Sequence, residues 1–131
     1  MTKFTFLVAG FFLFTSCSDA QVKSTPESSQ EGTINQVISA KEFKEKLGDE
    51  NIQLIDVRTA EEFNAGKIGN ASNIDFYGDN FQNELEKLDK SKPVMVYCAS
   101  GGRSGKTANM MKSMGFKEVY DLSGGYKGWP Y

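Results

Sequence analysis

Residues 34–131 alternate short apolar runs with segments of helical spacing, and this alternation restricts the fold more than any other feature. The two clearest runs are IQLIDV and VMVYC, which are short and rich in β-branched residues, as in strands buried on both faces. Weaker strand patterns occur in NQVIS, ASNID and FKEVYDL. Strands separated by short helices predict an α/β domain with a central, mainly parallel sheet of about five strands flanked by helices.

The helical segments have recognisable starts. Ser39 with Glu42, and Thr59 with Glu62, have the spacing of a capping box, in which two side chains bond the free backbone amides that begin a helix. A glycine follows each of these two helices and predicts its end. Two further helices are predicted, one over FQNELEKL and one over residues 104–114.

The first 16 residues have the layout of a secretory signal peptide. Lys3 precedes an apolar stretch from Phe4 to Phe14, which is shorter than a transmembrane helix requires. Small residues then lead to Cys17, which resembles a bacterial lipoprotein signal, where the cysteine is lipidated and becomes the first mature residue. Phe14 departs from that pattern, since leucine is usual there. The alternatives are an ordinary cleaved signal and an uncleaved anchor.

Residues 17–33 are expected to comprise the lipidated Cys17 and a flexible tether. The tether is predicted because residues 18–33 are rich in Ser, Gln, Thr and Glu. The folded domain is then expected to span residues 34–131. On this interpretation the protein is attached by lipid alone to a bacterial membrane, in the cell envelope and facing the periplasm or the surface. We expect the domain to contain a single thiol and to be monomeric.

Composition excludes several kinds of site. The chain contains no histidine, which excludes Cys–His and Ser–His–Asp catalysis and every histidine-ligated metal. Its two cysteines, Cys17 and Cys98, are too few for a disulfide framework or a cysteine-rich metal site, so no metal or organic cofactor is expected. The net charge of −2, without a long basic run, gives no indication of nucleic-acid binding.

The segment CASGGRS, residues 98–104, joins a predicted strand to a predicted helix. Ligands bind at the carboxyl ends of parallel strands, and Cys98 lies at such an end. Gly101 and Gly102 permit amide groups that point inward, the helix adds its positive N-terminal end, and Arg103 adds a cation. These features favour an anion and predict a lowered pKa for the Cys98 thiol without a general base. The alternative is a buried, inert thiol in a tight turn.

Three segments resemble the rhodanese family of sulfurtransferases, and together they span nearly the whole domain. YCASGGRS is similar to the rhodanese active-site loop, six residues from Cys98 to Arg103. LIDVRTAEEFNAGKIGNASNI, residues 54–74, resembles the upstream family signature, and LSGGYKGW, residues 122–129, resembles the closing Gly-Gly…Trp segment. Their order and spacing also agree with the family.

The resemblance implies a catalytic Cys98 that takes sulfane sulfur from thiosulfate or a similar small anionic donor. The sulfur would be held as a persulfide and passed to a thiol or a cyanide-like acceptor. It also implies that the loop binds the substrate through Ala99, Ser100, Gly101, Gly102 and Arg103. Arg58 and Arg103 are candidates for orienting the donor or for supporting the loop, and for Arg58 a further alternative is a structural ion pair, for example with Glu61 or Glu62. Asp56 is expected to brace the strand end.

One segment departs from the family pattern. Where rhodaneses usually read Gly-His-Ile-Pro-Gly-Ala, this chain reads Gly-Lys-Ile-Gly-Asn-Ala over residues 66–71. We expect the change to reduce the rigidity of this connection more than it affects the reaction at the site. It leaves the substrate preference open. Lys106 either adds positive potential beside the loop or is a solvated surface lysine. Phe63 and Trp129 are expected in the core.

Three other functions compete with sulfur transfer. A cysteine-dependent phosphatase or arsenate reductase would use the same amide-lined loop, but phosphatase loops place five residues between cysteine and arginine, whereas four stand here. A non-catalytic binding module usually lacks the cysteine, and Cys98 is present. A thiol–disulfide oxidoreductase would need a second thiol, and the predicted domain has no C-x-x-C pair.

Overall fold

The computed structural model describes residues 32–131, which form a five-stranded parallel sheet with helices on both faces. The strands lie in the order β1-β5-β4-β2-β3. They are β1 (Ile34–Ile38), β2 (Gln53–Asp56), β3 (Ser72–Asn73), β4 (Val94–Tyr97) and β5 (Glu118–Leu122). The helices are α1 (Ala40–Lys46), α2 (Ala60–Asn64), α3 (Phe81–Glu86), α4 (Gly102–Ser113) and a terminal 3₁₀ turn (Tyr126–Gly128). The predicted α/β class and parallel sheet are confirmed.

Strand β4 is central and buried along its whole length, as its unbroken apolar sequence predicts. Val94 and Val96 face a core formed with α3 and α4, which includes Leu85 and Met111. The alternate side chains of β4 enter a second core on the other face of the sheet. That core contains Met95, Tyr97 and Phe43, with Phe63 and Trp129 packed against it as expected.

Both predicted capping boxes are present. The hydroxyls of Ser39 and Thr59 accept hydrogen bonds from the backbone N–H of Glu42 and Glu62, and the glutamates accept bonds from the cap amides in return. Helix α4 begins at Gly102 rather than at residue 104. The earlier start has a local cause, because the preceding residue is a glycine in the left-handed region (φ 104°), which turns the chain directly from strand to helix.

The predictions made for the N-terminal residues lie outside the described part of the chain. They concern the signal peptide of residues 1–16, the lipidated Cys17 and all but the end of the tether. Within residues 32–131, no helix combines the length and the apolar character that crossing a membrane requires.

Candidate active site

The site is built where β4 ends. Cys98 follows the last residue of that strand and is 1% exposed, so the sheet places its thiol beneath the loop that leads into α4. Within this loop Ser100 and Gly102 are exposed, whereas Ala99 and Gly101 are half-buried. The structure therefore brings Cys98 and the predicted residues 99–103 together as one loop at the carboxyl edge of the sheet.

The Cys98 sulfur accepts two hydrogen bonds. The backbone N–H of Gly101 donates to Sγ at 3.0 Å, and the Ser104 hydroxyl lies 3.4 Å from it. Burial raises the pKa of the Cys98 thiol, but the Ser104 hydroxyl and the backbone amides of Ser104, Ser100 and Gly101 outweigh burial, so the pKa is lowered. The predicted inward-pointing amides are thus present and favour the thiolate.

Ser104 is a site residue that the sequence analysis missed. Its side chain is completely buried in the first turn of α4, directly after Arg103. A hydroxyl in the first turn of a helix that begins at an anion-binding loop is close enough to donate to that anion. Its position one residue beyond the loop is the sequence feature from which its role could have been inferred.

Arg103 is paired with a carboxylate of α2, which agrees with the loop-supporting role that was one of the two expected for it. Its guanidinium donates to both carboxylate oxygens of Glu62, at 2.8 and 3.0 Å, which is a bidentate ion pair. Among the described residues no hydrogen bond joins Arg103 to Cys98, although the two charges attract each other and help to raise the pKa of Arg103, after the larger effect of Glu62. The nearest stabilisers of the thiolate are therefore amides and Ser104, and Arg103 fastens the loop to α2.

Glu62→Gln is expected to lower stability at neutral pH and to lose this effect in acid. The Arg103 hydrogen bond, with further bonds from Thr59, holds the pKa of Glu62 at about 2 against the opposing effect of burial. A carboxylate with a depressed pKa stabilises the fold above its ordinary pKa of 4.5, and this contribution disappears as the pH falls towards 2. Because the Glu62 side chain is 36% exposed, solvent screening limits the loss to about 1 kcal/mol or less.

Urea unfolding of wild type and variant at about pH 7 and about pH 3 measures this effect. The matched control is Glu84→Gln, which removes an exposed pair with Lys87 on α3. A difference between wild type and Glu62→Gln that is the same at both pH values would contradict the assignment.

Arg58 is buried and already paired. Its guanidinium donates to both carboxylate oxygens of Asp56, at 2.6 to 3.0 Å, and to the carbonyl of Gly66 at 2.6 Å. It is 4% exposed and lies 4.0 Å from the ring centre of Tyr126. The prediction of Glu61 or Glu62 as the partner of Arg58 is wrong. The ion pair forms instead with the Asp56 carboxylate at the end of β2. Asp56 braces the strand end as predicted. Its carboxylate and the Gly66 carbonyl hold the Arg58 guanidinium inside the structure.

The C-terminal segment supports the loop from below, a role that the sequence analysis did not assign to it. The backbone N–H of Tyr126 donates to the carbonyl of Cys98 at 2.7 Å, and that of Lys127 donates to the carbonyl of Ala99 at 3.0 Å. Gly125 makes this approach possible, because a Cβ there would lie 2.5 Å from the Cys98 carbonyl oxygen and 2.6 Å from the Ala99 carbonyl carbon. Gly125 is therefore required for the close contact between this segment and the Cys98 loop.

Gly125→Ala is expected to displace the Cys98 loop and to destabilise the domain by about 2–4 kcal/mol, because the methyl group overlaps backbone atoms and the residue has a φ of 59°. Gly128→Ala is the matched control, since it has no positive φ and its nearest atom, the Ser123 carbonyl oxygen, lies 4.0 Å away. Chemical unfolding and the alkylation rate of Cys98 measure the two effects. Equal behaviour of the two variants would show that the close approach is unimportant.

The segment that departs from the family pattern is attached to the core by hydrogen bonds. The backbone N–H of Ile68 donates to the Tyr97 hydroxyl at 3.0 Å, and the preceding Gly66 carbonyl binds Arg58. Gly69 has a φ of 48°, which proline cannot adopt, so the family proline would not fit the backbone seen here. Lys106 is exposed on α4, as its surface interpretation requires.

The protein is thus a parallel α/β domain in which an amide-lined cysteine loop lies at the carboxyl edge of the sheet, and the loop favours the thiolate without a histidine. This chain belongs to the rhodanese-like domain family, whose model matches residues 39–130.

The chain is similar to a thiosulfate sulfurtransferase GlpE of Coxiella burnetii, with 38% identity over 92 residues that cover 70% of this chain and 84% of the relative. An uncharacterized protein YqhL of Bacillus subtilis is 35% identical over 96 residues, 73% of each chain. Among solved structures, a rhodanese-like domain protein from Staphylococcus aureus has a TM-score of 0.64 and 32% identity, covering 72% of this chain and 90% of that one.

Proposed function

We propose that this protein is a sulfurtransferase that moves sulfane sulfur from thiosulfate or a similar donor to a thiophilic acceptor through a persulfide on Cys98. The observation that supports this most is the environment of the Cys98 sulfur, which is buried, has a lowered pKa and accepts hydrogen bonds from Gly101 and Ser104. The similarity to proteins named thiosulfate sulfurtransferase supports the choice of donor.

The proposed reaction has two displacements. The Cys98 thiolate attacks the outer sulfur of thiosulfate, a sulfur–sulfur bond forms, and the original sulfur–sulfur bond breaks as sulfite leaves with the electron pair. The persulfide keeps one negative charge, now on its terminal sulfur, and loop amides stabilise it. The acceptor then attacks that terminal sulfur, and the Cys98 thiolate is the leaving group. Neither step needs a proton once Cys98 is ionised, which agrees with a chain that contains no histidine.

The loop favours sulfur over a tetrahedral oxyanion. Four residues separate Cys98 from Arg103, and the Arg103 guanidinium is bound at both ends of its fork to Glu62. A phosphatase would need that fork for two phosphate oxygens, whereas a single terminal sulfur is served by backbone amides. Both features weigh against the phosphatase and arsenate reductase alternatives.

The proposal is tested by mixing the full chain with thiosulfate in the absence of an acceptor and measuring sulfite. We expect a rapid release that stops near one sulfite per chain and becomes continuous when cyanide is added, as two-step transfer requires. An aryl phosphate assayed in parallel reports the phosphatase alternative. The absence of sulfite release would refute sulfur transfer from thiosulfate. If the aryl phosphate is hydrolysed instead, the phosphatase alternative is favoured. If neither compound reacts, the binding module is favoured.

We also propose that residues 1–16 are removed and that Cys17 is lipidated, which would place the domain in the cell envelope of a bacterium. The supporting observation is the sequence alone, an apolar stretch ending in small residues before a cysteine. Incorporation of a labelled fatty acid, lost in Cys17→Ser, is the expected result. Equal labelling of both proteins, or none of either, would contradict it.

A further inference from the structure

A thiolate that attacks an anionic donor has to overcome the repulsion between like charges. The proposed donor thiosulfate is a dianion, and the Cys98 thiolate that attacks it is negative as well. Bringing the two together is unfavourable unless a cation without another partner lies close by. The backbone amides around the sulfur carry only partial charges, so a full positive charge has to come from a side chain beside the loop.

The two arginines that the sequence offers for this purpose are already neutralised. The Arg103 guanidinium donates to both carboxylate oxygens of Glu62, and the buried Arg58 is paired with Asp56. An ion pair has no net charge, so it attracts a dianion far less than a free cation does. The main positive charge for the donor therefore has to come from another residue.

Lys127 is placed beside the loop by its backbone. Its N–H donates to the carbonyl of Ala99 at 3.0 Å, and the preceding N–H, of Tyr126, donates to the carbonyl of Cys98 at 2.7 Å. The two segments pass so close together that a Cβ on Gly125 would lie 2.5 Å from the Cys98 carbonyl oxygen. The backbone of Lys127 is thus fixed next to the nucleophile, and its flexible four-carbon side chain carries the ammonium group from there.

The ammonium group of Lys127 is not neutralised by a carboxylate. The side chain is exposed, and no carboxylate of residues 32–131 forms an ion pair with it. Lys67 differs, because its ammonium lies 4.9 Å from the centre of the Phe63 ring. Lys106 is also exposed, but it lies one turn further along α4, whereas Lys127 is bonded to the residue next to Cys98.

We propose that Lys127 is a donor-binding residue of this site, whose ammonium group attracts and holds the anionic end of the sulfur donor while the loop amides surround the transferred sulfur. The inference rests on the proposed sulfur transfer and deepens it, since it names the substrate class: donors that carry an anionic group are preferred over neutral ones. Lys127 acts through its charge alone, so no covalent step is added to the reaction.

The test compares iodoacetate with iodoacetamide, two alkylating reagents of nearly equal size of which only the first is charged. All proteins carry Cys17→Ser, so Cys98 is their only thiol. Because both reagents react with the same thiolate, the ratio of their rate constants cancels changes in its pKa or its accessibility. We expect Lys127→Gln to lower the iodoacetate-to-iodoacetamide ratio about two- to fivefold at low ionic strength, and the difference to shrink in about 1 M salt.

Two control variants accompany this comparison. Lys127→Arg keeps the charge and is expected to keep the wild-type ratio. Lys112→Gln is the matched control, because it removes an exposed lysine about 15 Å along α4 from Gly102, and its ratio should equal that of wild type. An unchanged ratio in Lys127→Gln would overturn the proposal, and so would an equal loss in Lys112→Gln or a larger loss in Lys106→Gln. No sulfur donor is used, so sulfur transfer and the role of Lys127 can each fail alone.

If Cys98 is alkylated too slowly for this comparison, binding of thiosulfate to the Cys98→Ser chain decides, followed by the amide NMR signals of residues 99–103. Adding Lys127→Gln is expected to raise the Kd about two- to fivefold. Equal affinities, or no binding to either protein, would contradict the proposal. In the active enzyme the same substitution should raise the KM for thiosulfate and leave kcat nearly unchanged, as loss of an interaction made equally in the ground and transition states requires.

Discussion

Replacing Cys98 with serine is expected to abolish sulfur transfer, with a loss of roughly 1,000-fold or more in the rate of thiocyanate formation from thiosulfate and cyanide. The substitution keeps the shape of the side chain and both hydrogen-bond donors, Gly101 and Ser104. It changes the acidity of the side chain, because a serine hydroxyl is a far weaker acid than a thiol and the loop cannot ionise it near neutral pH. It also removes the sulfur that must bond to the transferred atom.

Cys17→Ser is the matched control for this prediction, since it removes the other cysteine of the chain. Its rate is expected to equal that of wild type, and the unfolding midpoint of Cys98→Ser should stay close to that of wild type. A Cys98→Ser enzyme that retained a tenth of the activity would show that the transferred sulfur does not pass through this residue.

Asp56→Ala is expected to destabilise the domain by about 3–5 kcal/mol, a large part of the stability of a typical domain. Asp56 is fully buried, Arg58 is 4% exposed, and the carboxylate accepts from both the backbone N–H and the guanidinium of Arg58. Removing the carboxylate leaves a buried cation with the Gly66 carbonyl and the rings of Tyr126 and Tyr97 as its remaining neighbours. The uncompensated charge, rather than the lost contact alone, causes most of the loss.

This explanation makes a second prediction that distinguishes it from simple loss of packing. The double variant Asp56→Ala/Arg58→Met has no buried charge, and it is expected to recover a substantial part of the stability lost in the single variant. Glu84→Ala, which breaks an exposed ion pair, should cost less than about 1 kcal/mol. Denaturant unfolding of the four proteins measures these effects, and a double variant less stable than Asp56→Ala would be inconsistent with the charge argument.

The sequence predicted those parts of the fold that local physical chemistry controls. Two capping boxes and the buried runs of β2 and β4 depend on residues a few positions apart, and the structure has them where they were predicted. The position of Cys98 at the end of β4 followed from the same local pattern. The family resemblance implied the same α/β fold, and the parallel five-stranded sheet agrees with it.

The errors concern partners that only tertiary structure brings together. Glu62 was considered a partner of Arg58, but it binds Arg103, which is 41 positions away in the sequence. Tyr126 donates to the Cys98 carbonyl only because the C-terminal segment returns to the Cys98 loop in the fold. No spacing rule along one chain predicts such contacts, since they depend on the order of strands in the sheet. Arg58 and Asp56 are close in sequence, but their pairing needed the turn that follows β2.

The central claim is that the Cys98 thiolate receives a sulfur atom, and intact-mass analysis of the full chain after treatment with thiosulfate tests it most directly. We expect wild type to gain the mass of one sulfur atom, to lose it again on addition of cyanide, and Cys98→Ala to gain nothing. An unchanged mass in a folded protein whose Cys98 can still be alkylated would contradict the proposed transfer from thiosulfate.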